Sequence, residues 1–270
     1  MWIPSVWARW ASMRPMTVPV FLAESPGPDG DDSAAIGPGD EIVLAGAEGR
    51  HAATVRRLRA GERVDVTDGM GRVAECVVRD VLKDALRLTV LKRYEVPPPS
   101  PRVIVAQGLP KGDRGELAVE MMTEAGVDVI VPWAASRCVT QWRGDRGARA
   151  LARWRATARE AAKQARRFHL PEITEPYSTD RLADLLTGAA RAIVLHEEAT
   201  EPLSRLALPS AGDVSDIVVV VGPEGGVTGE ELDRFRAVGA VPARLGPTVL
   251  RTSTAGVAAT AVLMTGSGRW

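Results

Sequence analysis

The run Ile217-Val218-Val219-Val220-Val221 breaks directly into Gly222-Pro223-Glu224-Gly225-Gly226, and a second glycine-proline segment, Leu245-Gly246-Pro247-Thr248-Val249-Leu250-Arg251-Thr252-Ser253-Thr254-Ala255, follows downstream. A buried strand that ends in a glycine-rich loop and then a helix presents backbone N–H groups and bare peptide planes to a small ligand, because glycine lets the chain approach closely. Tight turns at sheet edges use the same residue types. The two loops on their own therefore fit either a ligand cradle or plain turns.

Working outward, Thr228-Gly229-Glu230-Glu231 reads as the cap of a helix ending near Gly239, and a closing helix is predicted from about Ser253 to Met264. Upstream, strands are predicted at Val103 to Ala106, Val127 to Val131 and Ala192 to Leu195. A helix from Arg114 to Ala125 begins with the capping-box-like Asp113-Arg114-Gly115-Glu116 and stops at Gly126. Strand and helix in alternation imply an α/β fold, with a mostly parallel sheet covered by helices on both faces.

This grammar starts only after Pro97-Pro98-Pro99-Ser100-Pro101, four prolines in five residues, which form a stiff extended linker. Before it, short apolar alternations (Glu41 to Leu44, Arg63 to Thr67, Ala74 to Val78, Leu86 to Leu91) are separated by Gly39-Asp40, Gly61-Glu62 and Asp68-Gly69-Met70-Gly71. They predict a small β-barrel or sandwich of hairpins over residues 17–96, interrupted by one or two helical turns around His51 to Leu58. Residues 102–270 form the second domain. The tryptophan-rich start lacks the features of a leader, since Arg9 breaks its apolar part and no small-residue cleavage site follows. Residues 1–16 are expected to be a disordered or loosely packed extension, with Met13 and Met16 as alternative starts.

With 270 residues, 45% of them hydrophobic and 25% charged, the chain can bury two cores. Cys76 and Cys138 are far apart and have no Cys or His at ligand spacing, which excludes a disulfide framework or zinc site and fits a reducing, cytoplasmic setting. No apolar run approaches the roughly 20 residues needed to span a bilayer.

The formal net charge is zero, yet Trp142 to Arg167 carries nine basic residues against two acidic ones. Leu151, Trp154, Ala158, Ala161, Ala165 and Phe168 recur there at spacings of three and four, so the segment is predicted to be an amphipathic helix with its arginines facing solvent. Those arginines form either a solvated face or a phosphate-contacting surface, because guanidinium forks match phosphate oxygens.

Several ligand classes are absent from the motifs. There is no Gly-x-x-x-x-Gly-Lys-Ser/Thr loop, no Gly-x-Gly-x-x-Gly after a strand and no Gly-x-Ser-x-Gly elbow. What remains is a small adenosine-like ligand lying across two glycine-rich loops.

The string Val221 to Gly226, the segment Leu245 to Thr252, and Gln107-Gly108-Leu109-Pro110-Lys111-Gly112-Asp113 together resemble the RsmE-type 16S ribosomal RNA uridine-N3 methyltransferases of the SPOUT superfamily. The resemblance covers nearly the whole chain from about Thr17. His51-Ala52-Ala53-Thr54-Val55-Arg56-Arg57 with Gly61-Glu62 and Asp68 to Gly71 looks like that family's PUA-like RNA-binding module. The resemblance implies a PUA-like β-barrel followed by a knotted α/β domain, a homodimer, S-adenosylmethionine as methyl donor, and small-subunit 16S rRNA as partner, with no membrane and no metal.

It also implies a donor pocket of Leu195, His196, Gly222, Pro223, Gly225, Leu245, Gly246, Leu250, Thr252 and Ala255. RNA contacts are expected from His51, Arg56, Arg57, Lys111, Arg159, Lys163, Gln164, Arg166 and Arg167. The uracil N3 proton is held at neutral pH, so the site must remove it or stabilise the resulting anion. Arg251 is the candidate for electrostatic stabilisation, with an ion pair to Glu224 that merely braces the loops as its alternative. Glu224 is the candidate proton acceptor. His196 fits a packing or backbone-positioning role better than a catalytic one.

The chain departs from the family pattern at Ser253, where many members carry glutamate, and at Ala165, where serine or cysteine is frequent. The arginine usual before the first strand is absent around Val18 to Phe21. Two other functions share these features: a SPOUT methyltransferase acting on another RNA such as tRNA, and a non-catalytic RNA-binding or assembly protein.

Overall fold

A computed structural model describes residues 18–23 and 37–270; the extension expected over residues 1–16 lies outside them. The chain divides into two compact units. One ends at Pro98 and also takes in Ala162–Leu170; the other comprises Pro99–Ala161 and Pro171–Trp270.

The first unit is a five-stranded sheet built from β1 (Val20–Leu22), β2 (Glu41–Leu44), β3 (Arg63–Thr67), β4 (Arg72–Val81) and β5 (Leu86–Glu95), in the order β1-β3-β4-β5-β2. β1 runs parallel to β3, and the other pairs are antiparallel. β4 and β5 are longer than their alternation predicts. Register shifts at Glu75/Cys76 and Val78/Asp80 break the two-residue period while the ladder continues past them. Phe21, Val64, Val66, Cys76, Leu86 and Leu88 belong to one core. Burial, followed by the nearby Asp65 and Glu75 carboxylates, pushes the Cys76 thiol up to about 12.

Helix α1 (Gly46–Arg50) continues as a π-helical turn over His51–Val55, where helical turns were expected. Its Glu48 accepts the Leu22 N–H at 3.4 Å and pairs with Lys163 at 2.7 Å. The segment Ala162–Leu170 belongs here because its backbone adds to the Asp68–Gly71 turn: Phe168 accepts from the Gly71 N–H and Leu170 donates to the Gly69 carbonyl, both at 2.9 Å.

The second unit holds β6 (Arg102–Gly108), α2 (Arg114–Glu124), β7 (Val129–Trp133), α3 (Gly144–Gln164, up to Ala161), β8 (Glu172–Ile173), α4 (Thr179–Thr187), β9 (Arg191–Leu195), β10 (Asp216–Val221), α5 (Gly229–Ala237), β11 (Val241–Ala243) and α6 (Thr252–Gly266). Its six strands are all parallel, in the order β11-β9-β10-β6-β7-β8. Successive strand residues point to opposite faces. Val103, Val105, Ile217, Val219 and Val221 therefore pack with Met122, Trp154 and Leu263 of α2, α3 and α6, whereas Ile104, Ala106, Val218 and Val220 pack with Leu182 and Phe235 of α4 and α5.

The boundaries differ from expectation where local bonds override apolar pattern. β7 starts at Val129 because the Val127 N–H closes onto Met122 O and stays in the turn. β6 runs on through the polar Gln107 and through Gly108. The Thr228 capping box is present as expected. Asp113, in contrast, makes no side-chain cap: at φ −83° and ψ 0° its backbone lacks the extended conformation that folds an N-cap side chain onto the helix.

Two buried charge sites hold this unit. The Arg269 guanidinium donates to Asp128 Oδ1 at 3.2 Å and to the Pro101 carbonyl at 3.0 Å, and Asp128 Oδ2 accepts the Val103 N–H at 2.8 Å. Glu231, buried, accepts the Ser136 N–H at 2.8 Å, the Thr228 N–H at 2.9 Å and the Thr228 hydroxyl at 3.0 Å. Burial pushes the Glu231 carboxyl up, but the Ser136 and Thr228 donors outweigh it and hold the group below its ordinary value of 4.5.

A depressed folded-state value means that the stabilisation is present above the unfolded value and is lost as pH falls through the folded one. Glu231→Gln is therefore expected to cost about 1–3 kcal/mol near neutrality and progressively less in acid. Thermal melts of both proteins across the acid range check this; a gap that stays constant below the ordinary carboxylate value would refute it.

Candidate active site

Parallel strands leave their ligand crevice at their carboxyl ends. Here β9, β10 and β11 end at a cleft of about 560 Å³. Its walls are Leu195, His196 and Glu197 after β9, Val221 to Val227 after β10, and the stretch from Ala243 through Thr252 with Ala255. All ten residues expected to hold the methyl donor lie on these walls, together with Arg251 and Glu224. Arg114, Glu197 and Arg244 join them, and no local pattern in the sequence had singled these three out.

Glycine permits the close approaches that shape the cleft. A Cβ at Gly108 would stand 2.6 Å from the Pro223 nitrogen, so the β6 end and the first loop touch backbone to backbone. A Cβ at Gly225 would stand 2.9 Å from the Arg137 Cβ. The Arg137 guanidinium in turn donates to the Gly225 carbonyl at 3.0 Å. On the opposite wall, Gly246 has open space where its Cβ would stand.

The loops are tied by polar contacts other than the ion pair considered as the alternative role of Arg251. Glu224 accepts the Lys111 N–H at 3.1 Å, and no ion pair joins it to Arg251 among the described residues. The second loop is held instead by the Thr252 hydroxyl, which donates to the Gly222 carbonyl at 2.7 Å and accepts from the buried Gln107 amide at 2.9 Å. Arg251 is the N-cap residue of α6; its carbonyl accepts the Thr254 and Ala255 N–H groups while its side chain stays exposed. His196 is half-buried, with its N–H on Ala243 O and its Nδ1 accepting the Glu198 N–H at 3.3 Å, a backbone-positioning arrangement.

The expected RNA-facing residues are less uniform. Within the first unit, Arg56, Arg57, Gln164 and Arg166 are exposed. Arg57 and Arg166 take positive φ, of 52° and 55°, in the turns that close the His51–Val55 segment and α3. His51 and Arg167 are half-buried, His51 standing edge-on to Phe21. Lys163 departs from expectation, since its side chain is only 11% exposed and its ammonium neutralises Glu48. Within the second unit, Lys111 and Arg159 are exposed, and Arg153 and Arg155 pair with Glu116 and Glu175, each at 2.9 Å. Among the described residues, no group of three or more His, Cys, Asp or Glu is placed to hold a metal ion, and no helix is long and apolar enough to cross a membrane.

The cleft suits a donor that carries both an amino-acid group and a sulfonium. Its volume lies in the range of small-molecule sites, the glycines admit close backbone contact, and carboxylates and guanidiniums face the same space.

Comparison with known proteins agrees. A family model described as RNA methyltransferase domain matches residues 97–264, and one described as RNA methyltransferase PUA domain matches residues 44–91. The Mycobacterium bovis protein named Ribosomal RNA small subunit methyltransferase E is 46% identical over 236 residues, covering 86% of this chain and 89% of its own length. The Bacillus subtilis protein of the same name is 30% identical over 220 residues, covering 78% and 85%. Among solved structures, a Legionella pneumophila methyltransferase in complex with S-adenosylmethionine superposes with a TM-score of 0.77 at 26% identity, over 93% of this chain and 98% of that one. A Neisseria gonorrhoeae structure, at 24% identity and a TM-score of 0.76, shares the fold. The α/β architecture with a PUA-like first domain, expected from the sequence, is what these matches carry.

Proposed function

The chain belongs to the ribosomal RNA small subunit methyltransferase E family, and from that premise we propose that it transfers a methyl group from S-adenosylmethionine to uracil N3 of one uridine in 16S rRNA. The observation that carries the reading is the gathering of both glycine-rich loops, Arg251 and Glu224 on one cleft at the strand ends. The donor supplies a methyl group already activated by its sulfonium, so the chain's own residues have to align and polarise the base.

Leu195, Gly222, Gly225, Leu245, Gly246, Leu250 and Ala255 bound the space for the donor, and the glycine positions admit it close to the backbone. The Arg251 guanidinium, exposed at the cleft, stabilises negative charge on the uracil oxygens as N3 loses its proton. Glu224, anchored by the Lys111 N–H, holds the first loop, and its free carboxylate capacity makes it the acceptor to test for the N3 proton. The exposed Arg56, Arg57, Arg159 and Arg166 contact RNA phosphate and position the target without reading its sequence.

The same reading includes a trefoil knot threaded through the cleft loops, a cytoplasmic setting and a homodimer. The apolar residues of α6 that stay half-exposed, Val257, Ala258, Ala261 and Val262, are the face we assign to the second copy.

Two measurements test the function. Calorimetry should show S-adenosylmethionine binding, and no binding at millimolar donor would remove the catalytic reading. Mapping of N3-methyluridine in ribosomal RNA from cells lacking the gene should show the small-subunit modification gone; its persistence would redirect the activity to another RNA.

A further inference from the structure

Gln107 lies at the core of the second unit, 0% exposed, on β6 opposite Val221 of β10. A primary amide there has two N–H donors and a carbonyl to satisfy. Both donations go from Nε2, one to Thr252 Oγ1 at 2.9 Å and one to the Gly108 carbonyl at 3.1 Å. Oε1 has no hydrogen-bond partner among the described residues. It faces Gly256 of α6, where a Cβ would stand 3.3 Å from Oε1 and 2.6 Å from the Met122 sulfur, so the helix closes over the amide only because residue 256 is glycine. Turning the amide over would set Oε1 against the Gly108 carbonyl, which excludes that orientation.

A buried carbonyl without a partner costs its full desolvation, and an apolar side chain of the same shape would not. Core stability therefore does not account for an amide at this position. Its effect on Thr252 does. Because Nε2 is a donor, Thr252 Oγ1 must accept from it, and its single proton is left for Gly222 O, which lies 2.7 Å from Oγ1. One buried amide thus sets the direction of a hydroxyl that joins the start of the first loop to the first turn of α6, and Gly222 and Thr252 both line the cleft.

We infer that Gln107 is a positioning residue for the methyl-donor cleft, orienting the Thr252 hydroxyl onto the Gly222 carbonyl and so fixing the two glycine loops in register before any ligand binds. The inference rests on the donor-site reading above and refines it. It also assigns Thr252 a bracing role, since its only proton is committed within the protein.

The test compares ligand-free and donor-titrated protein for Gln107→Met, Thr252→Val, their combination and Thr252→Ser. In ligand-free protein, amide hydrogen exchange over Gly222 to Val227 is expected to quicken about three- to tenfold in Gln107→Met and Thr252→Val, the equivalent of one net hydrogen bond, with the β10 amides unchanged. Gln107→Met should melt at or above the wild-type temperature. Its calorimetric Kd for S-adenosylmethionine should rise by a similar factor, the double variant should be no worse than the worse single one, and Thr252→Ser, which keeps the hydroxyl, should keep the loop amides in slow exchange.

Unchanged exchange in the loop, an increase spread equally through β6 and β10, or additive losses in the double variant would overturn the positioning role. If wild-type protein failed to bind the donor, the functional reading would fall while the exchange result still decided the role of Gln107.

Discussion

Arg251→Ala is expected to lower kcat for ribosomal RNA methylation about 10²- to 10³-fold, the scale of losing one preorganised charge-stabilising donor. The Kd for S-adenosylmethionine should move by no more than about threefold, since that is the effect of losing at most one weak hydrogen bond. The separation follows from how the residue is built into the fold. Its backbone carbonyl, which receives the Thr254 and Ala255 N–H groups, starts α6 whatever side chain it carries. The loop is braced by Thr252 and Gln107 instead. Truncation at Cβ therefore removes charge without loosening the wall. Arg251→Lys should recover only part of the rate, because a point charge does not reproduce a planar fork set against two carbonyl oxygens. Single-turnover kinetics alongside calorimetry decide the matter: equal losses in rate and affinity would make Arg251 a brace.

Arg269→Ala is expected to cost the second unit about 3–5 kcal/mol. The Arg269 and Asp128 side chains are 6% and 7% exposed, so removing the guanidinium takes the cation away from a buried carboxylate and also strips the Pro101 carbonyl of that donor. Asp128 still accepts the Val103 N–H. Combining Arg269→Met with Asp128→Asn should recover a good part of the loss, because the penalty lies in the buried, no longer neutralised charge more than in the missing contact. Urea melts measure both variants. A loss under about 1 kcal/mol would put the pair in the class of surface bridges.

The sheet of the second unit was legible because its central strands are continuous apolar runs. Ile217 to Val221 and Ala192 to Leu195 announce themselves. β8 and β11 do not, because strands of two and three residues are too short to show a period. Thr228 and Asp113 show the limit of capping signals: both precede a glutamate three residues on, yet only Thr228 has the extended backbone that lets the side chain turn back.

At the cleft, glycine and proline marked the two loops from sequence alone, and the resemblance supplied which neighbours line them. Arg114 and Arg244 were invisible because their place on the wall depends on tertiary approach. Lys163 was misleading for the opposite reason. It sits in a run of exposed arginines, and only the fold reveals the Glu48 carboxylate that it neutralises.

The two cysteines fall one to each unit, Cys76 in the first core and Cys138 half-buried in the second. Burial raises both thiols, Cys76 to about 12. Alkylating reagents attack the thiolate, so modification of the native chain has to wait for a transient local opening. The protein thus carries a chemical clock in each half. The labelling rate at Cys76 times the breathing of the RNA-binding sheet, and that at Cys138 times the breathing of the methyltransferase unit, with no engineered probe in either.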